Sequence, residues 1–301
     1  MMRISDSYLS NIMLQSLNAN SAEMGTLFQQ MSTGDNITKL SDDILGSVKL
    51  VGLDAQKSVL AQYKTNSENV KSELSLYEGR VDMLENSLQR ANELALWGKN
   101  GTFSVNEREA INIELKAIQD SIVNTLNTKN DEGSYLFSGT AINEAPILVD
   151  DITGVISINP AINANTRETT VADGLTVENN ITLDKILTTT PNILEHLTNL
   201  MSEFSAVTPN MTTVDASLEG IHQSISDTSS VMASIGSKIN NLDTNIENSE
   251  DLGLFVEQVS LGINQLDYAE ASVNLNEFMN ALQASQKAYV GINRLSLFNE
   301  I

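Results

Sequence analysis

The chain has 301 residues, a net charge of −22 and no cysteine. So acidic a chain excludes binding to nucleic acid or an anionic membrane through a basic surface. Without thiols it has no disulfide, thiolate metal site or cysteine nucleophile, and four prolines with 5% aromatic residues point to a mostly helical, elongated molecule.

Residues 4–32 read as a first helix, with Leu9, Met13 and Leu17 four apart and Met24, Leu27, Phe28 and Met31 repeating the pattern. Ser32 to Asn36 ends it, with Gly34 available for a left-handed cap. Ser41 is the expected N-cap of the next helix, with Asp42 and Asp43 facing its positive end. From there to Trp97 no proline intervenes. Val70, Leu74, Tyr77, Val81, Leu84, Leu88, Ala91 and Ala95 step by alternating fours and threes, a coiled-coil seam. Trp97 is expected to pack the turn at Gly98. Ser104 and Glu107 form a capping box. Ile111, Leu115, Ile118, Ile122 and Leu126 then stripe a shorter helix that ends near Gly133 and returns antiparallel to the long one.

From Ser134 to about Thr190 charge and helical period disappear. Residues 147–149, 155–158, 169–171 and 175–177 are short β-type runs, with turns at 151–154 and 173–174. Helical period returns at Ile193, Leu197, Leu200 and Phe204. A second seam follows: Leu218, Ile221, Ile225, Thr228, Met232, Ile235, Ile239, Leu242 and Ile246. Two seams of like period are expected to pack on each other, with the 105–131 helix alongside. The second helix is expected to continue through Val256 and Ile263 to the closing stretch.

That closing stretch is apolar for a chain end: Leu275, Phe278, Leu282, Tyr289 and Ile292 recur at helical spacing, with Leu295, Leu297 and Phe298 beyond. Charge sets both ends apart. Residues 1–34 sum to −1 and 272–301 to zero, so residues 35–271 hold −21 of the −22. Near-neutral apolar ends are what a packed assembly interface needs, because buried charge is costly. Its expected residues are Ile4, Leu9, Met13, Leu17, Leu27, Phe28 and Met31 at one end, with Leu275, Phe278, Leu282, Tyr289, Ile292, Leu295, Leu297 and Phe298 at the other. The same stripes would also serve an ordinary intramolecular core, against which stand their terminal positions and their neutrality.

The fold class expected is thus mainly α: an elongated antiparallel helical bundle or coiled coil built from N- and C-terminal halves, with a small β-rich domain inserted at mid-chain. The divisions are 1–40, an assembly helix disordered in the monomer; 41–138 and 191–268, the two halves of a helical rod; 139–190, the β-rich insertion; and 269–301, the C-terminal assembly helix.

No chemistry of an enzyme is legible. His196 and His222 each sit in a helical segment without a neighbouring ligand set. Asp42-Asp43 reads as helix-start acids rather than a metal pair, and Asp150-Asp151 with Gly154 lacks the spacing and closing glutamate of a calcium loop. There is no phosphate-binding glycine loop and no nucleophile elbow. No catalytic residue, cofactor or metal is expected. No apolar run is long enough to span a bilayer, and the N-terminus lacks the apolar core and cleavage site of a secretory signal.

Met2-Arg3-Ile4-Ser5, Gln30 to Gly34 and Ser41 to Asp43 resemble the N-terminal region of the bacterial flagellin family. Residues 98–102, Gly133 to Gly139 (GSYLFSG), Leu266 to Ala271, Ala281 to Gln286 and Leu295 to Asn299 are similar to the branch that joins hook to filament. The flagellin-type Ile-Asn-Thr-Asn start and Leu-Leu-Arg tail are absent, and the insertion matches nothing in the family. The resemblance implies export through the flagellar type III pathway without a cleaved signal, aided by an export chaperone. It also implies an extracellular place in the flagellum, in a ring at the distal end of the hook, built for motility. The implied partners are other copies of the chain, the first hook-associated junction protein and flagellin, with no nucleic acid and no membrane insertion. The terminal helices would pair as an inner coiled coil. The alternatives are a minor flagellin and, from another class, a helical secreted effector or pore-former; the polar Asn274, Asn276, Asn280, Gln283, Gln286 and Asn293 argue against the last.

Overall fold

The computed structural model describes residues 2–99, 104–150 and 152–298; the side chains of residues 2–7, 9, 10 and 292–298 lie outside the described set. In chain order it contains α1 (Met2–Thr33), α2 (Ile44–Lys99), α3 (Val105–Leu126), β1 (Ile147–Val149), β2 (Ile156–Ile158), β3 (Glu168–Ala172), β4 (Leu175–Glu178), a short 3-10 turn (Leu183–Lys185), α4 (Ile193–Ser205), α5 (Met211–Asn264) and α6 (Tyr268–Phe298). Two compact units result: Met1–Val59 with Leu252–Ile301, and Leu60–Asp251.

The larger unit is built on the two seams. Every residue of the first seam, Val70 to Ala95, is buried, and Leu218, Ile221, Ile235 and Leu242 of α5 belong to the same cluster. The two helices run antiparallel, as a row of ion pairs shows: Lys64 with Glu250, Lys71 with Asp243 and Lys99 with Asp215. The first two pairs are one heptad apart on both helices, so lysines at one flank of the α2 seam face acids at the matching flank of α5. α3 lies antiparallel to α2, where Arg90 Nε meets Glu114 at 2.7 Å. α4 packs on α3 through side-chain donors. Arg108 Nε and Nη2 donate to the carbonyls of Phe204 and Ala206, Asn112 Nδ2 to that of Met201, and Gln119 Nε2 to that of Leu194. At Phe204, Arg108 thereby satisfies a carbonyl that the last turn of a helix leaves without a partner.

The insertion forms two antiparallel hairpins, β1–β2 with Ile147 opposite Ile158 and β3–β4 with Glu168 opposite Glu178. Asp150 closes the first turn by accepting from the N–H groups of Ile152 and Thr153, with Gly154 at φ 68°. Asp151 lies outside the described residues. The insertion joins the helical core through Ile147 and Val171 of the hairpins and through Ile181 and Leu183 after them. Tyr77 of α2 anchors the segment that leads into them, donating to the Leu136 carbonyl at 2.7 Å and meeting Phe137 edge-on at 5.5 Å.

Three local expectations are corrected. The N-cap of α2 is Asp43, whose Oδ1 accepts from Gly46 N at 3.0 Å, while Asp42 closes the preceding turn on Thr38 and Lys39. α3 ends at Leu126 rather than near Gly133. There Asn127 pairs through both side-chain atoms with the backbone of Ile147, which draws the chain out of the helix and into β1. Trp97 is 52% exposed, beneath the Arg90 guanidinium at 5.3 Å from its ring. Phe204 from α4 occupies the space at Gly98 instead, and a Cβ there would sit 2.3 Å from its ring.

Gly98→Ala is therefore expected to lower stability by about 1–3 kcal/mol despite alanine's better helix propensity, because the fully buried Phe204 ring cannot retreat. Equilibrium unfolding in urea checks this, and an unchanged midpoint would show that the ring can move. His196 stands against Gly220 in the same way, and its burial there pushes its pKa down although Glu195 opposes this. The sign follows: below about pH 6.5 the unfolded chain binds a proton that the folded chain refuses, so stability falls. His196→Gln is expected to flatten the drop in melting temperature between pH 7 and pH 5.5; an unaltered slope would assign that drop to other groups.

Candidate assembly site

The smaller unit brings the two chain ends together. α1 packs along α6. At their shared end Leu27, Leu266 and Ala271 are buried, with Met31, Leu275 and Phe278 packed against them. Leu27, Met31, Leu275 and Phe278 thus converge as the spacing predicts. Met13, Leu17, Leu282 and Tyr289 are half-buried further along the helices, whereas Phe28 faces solvent. The side chains of Ile4, Leu9, Ile292, Leu295, Leu297 and Phe298 lie outside the described residues.

A backbone clasp holds this end. The chain leaving α1 and the chain leaving α5 meet at a bridge between Asp35 and Gln265. Asn36 N donates to the Asn264 carbonyl at 2.6 Å, and Leu266 N donates to the Gly34 carbonyl at 3.0 Å. The Asn264 side chain works in both directions, accepting from Ile37 N and donating to Asp35 Oδ1. Tyr268 Oη donates to the Met31 carbonyl at 3.1 Å. Gly34 makes the turn at φ 83°, in the left-handed region, with the Tyr268 hydroxyl 3.3 Å from where a Cβ would stand. Asp267 caps α6 by accepting from Ala269 N and Glu270 N.

Electrostatics at this end serve the turns. Partial desolvation pushes the Asp42 carboxyl up, but bonds from Lys39 and Thr38 more than offset this and hold it below its usual range. Lys57 pairs with Glu257 where α2 and α5 pass within the unit. Among the described residues no group of three His, Cys, Asp or Glu could hold a metal ion, and no helix is long and apolar enough to cross a membrane. Among the described residues the arrangement offers apolar helix faces and backbone pairing.

Sequence reasoning missed the clasp. Gly34 was legible as a helix stop, but Asn264 sits in a polar helix end with nothing to mark it, and its partners lie more than 200 residues away.

The bacterial flagellin N-terminal helical region matches residues 4–142, and the bacterial flagellin C-terminal helical region matches residues 218–299. Flagellar hook-associated protein 3 of Escherichia coli is 23% identical over 99% of this chain and 99% of its own length. Flagellin A of Vibrio anguillarum is 32% identical, but over 41% of this chain and 33% of its own. Among solved structures, a flagellar hook-associated protein of Vibrio parahaemolyticus is 35% identical with a TM-score of 0.69, covering 74% of this chain and 99% of that one.

Proposed function

Since the chain belongs to the flagellar hook-associated proteins of the bacterial flagellin family, we propose that it is a structural subunit of the flagellum. It forms the junction between hook and filament after type III export. The observation that carries this is coverage: the match to hook-associated protein 3 runs the full length of both chains, whereas the match to flagellin A spans a third of that protein. A minor flagellin would have the reverse pattern. In this reading α1 and α6 pair, and their remaining apolar faces meet other copies of the chain, with the first junction protein on one side and flagellin on the other. The chain is carried to the export gate by a chaperone and acts outside the cell without catalysis. The terminal stripes, Ile4 to Met31 and Leu275 to Phe298, are the assembly interface.

The test is a deletion strain. It is expected to keep its hooks, release flagellin monomer into the medium and lack filaments, with all three restored by the intact gene. Normal filaments in the deletion strain would overturn the reading.

A further inference from the structure

Apolar packing alone does not fix how far along α6 the helix α1 lies. α6 starts where α1 ends and runs back along it. The covered row on α1 is Met13, Leu17, Asn20, Met24, Leu27 and Met31; on α6 it is Ala271, Leu275, Phe278, Leu282, Ser285 and Tyr289. Both rows step by fours and threes, so sliding one helix by a heptad, roughly 10 Å, lays row on row again. Three of the six on α1 are methionine, whose unbranched chains repack against small or large partners. Among the described residues no ion pair joins the two helices, and Asn20 and Ser285 make no hydrogen bond across the seam. Tyr268 bonds the Met31 carbonyl, but free carbonyls recur through the last turn of a helix. The link to α2 gives no ruler either, because residues 34–43 reach about 35 Å when extended.

The clasp has what the rows lack. Its backbone bridge between Asp35 and Gln265 is indifferent to side chains, and a slip of two residues keeps the same faces. Asn264 is not indifferent. Its carbonyl accepts from Asn36 N at 2.6 Å, its Oδ1 accepts from Ile37 N at 2.9 Å, and its Nδ2 donates to Asp35 Oδ1 at 2.8 Å. One half-buried residue thus holds three successive residues of the chain leaving α1. A slip breaks all of these bonds at once and strands the groups that made them. We propose that Asn264 is the positioning residue for α1, fixing the register in which the two terminal helices lie on each other. For its consequence in assembly this rests on the function proposed above; for register it rests on the clasp alone.

Because the chain has no cysteine, introduced thiols report register without background. In the purified full chain Leu17→Cys is combined in turn with Leu275→Cys, Phe278→Cys, Leu282→Cys, Ser285→Cys or Tyr289→Cys, and intrachain disulfides formed on oxidation are quantified by peptide mass. One α6 site is expected to dominate, since a disulfide needs Cα atoms within about 7 Å. With Asn264→Ala added, the yield one heptad away is expected to rise roughly threefold or more. The reversed pair, Asn264→Asp with Asp35→Asn, is expected to restore the single site, because it exchanges donor and acceptor and keeps the bond to Ile37. Several equal sites in the parent, an unchanged pattern in Asn264→Ala, loss of every cross-link, or no rescue by the reversed pair would each overturn the inference. In the deletion strain Asn264→Ala is expected to enter hook-end particles at least fivefold less than the intact chain, with recovery by the reversed pair; normal entry would overturn the consequence for assembly. If the intact chain itself does not enter, the proposed function fails while the register result on the purified chain stands.

Discussion

Leu27→Asp is expected to reach the medium and fail to enter the flagellum, with at least a tenfold loss from hook-end particles by immunoblot. Leu27 is buried in the small cluster with Leu266 and Ala271 where α1 leaves its helix. Removing a buried leucine costs about 2–5 kcal/mol before any charge is added, and among the described residues that line the cluster none is basic, so a carboxylate there has nothing to offset its desolvation. The cluster shares no residue with the core of the larger unit. The main unfolding transition and most of the helical signal should therefore persist, and the defect should be one of assembly. Loss of the main transition would show that Leu27 belongs to the folding core of the free chain. Leu282→Asp, at a half-buried site further along α6, is expected to act in the same direction and more weakly.

Tyr77→Ala should be the most destabilising single change in the larger unit, by about 3–5 kcal/mol. Tyr77 is 1% exposed, its ring meets Phe137 edge-on, and its hydroxyl holds the Leu136 carbonyl at the point where the chain enters the insertion. At roughly 2–4 °C per kcal/mol for a unit of this size, the melting temperature should fall by about 10 °C. Tyr77→Phe separates the causes: it keeps the ring contact and strands the carbonyl, so it should cost about 1–2 kcal/mol. If the two variants lose equally, the hydroxyl bond rather than packing is what fixes the insertion to α2.

These two sites differ in how far the sequence exposed them. Tyr77 stands in a seam of threes and fours, and that periodicity alone predicts its burial; its bond to Leu136 does not follow from any pattern. The capping box at Ser104 and Glu107 was readable because both partners lie within one turn, and it forms with Ser104 N donating to Glu107 Oε2 at 2.7 Å. The α2 N-cap does not follow from the sequence for a related reason. Ser41, Asp42 and Asp43 are all able to cap, and the loop from Thr38, which Asp42 closes, decides that Asp43 is the one free to do so. The apolar stripes of the terminal helices were legible from spacing and the charge-poor ends, and the family resemblance was carried by the same segments.

The sequence by itself determined the helices, the two seams, the short β-type runs of the insertion and the separation of neutral ends from an acidic middle. Each of these is a repeating or local property, set by side-chain spacing and composition. Only the tertiary structure decided which ring fills the space at Gly98, where α3 stops, and how Asn264 joins Asp35 and Ile37. Those outcomes depend on partners tens to hundreds of residues distant. A single hydrogen bond or close approach leaves no period in the chain for a reader to find.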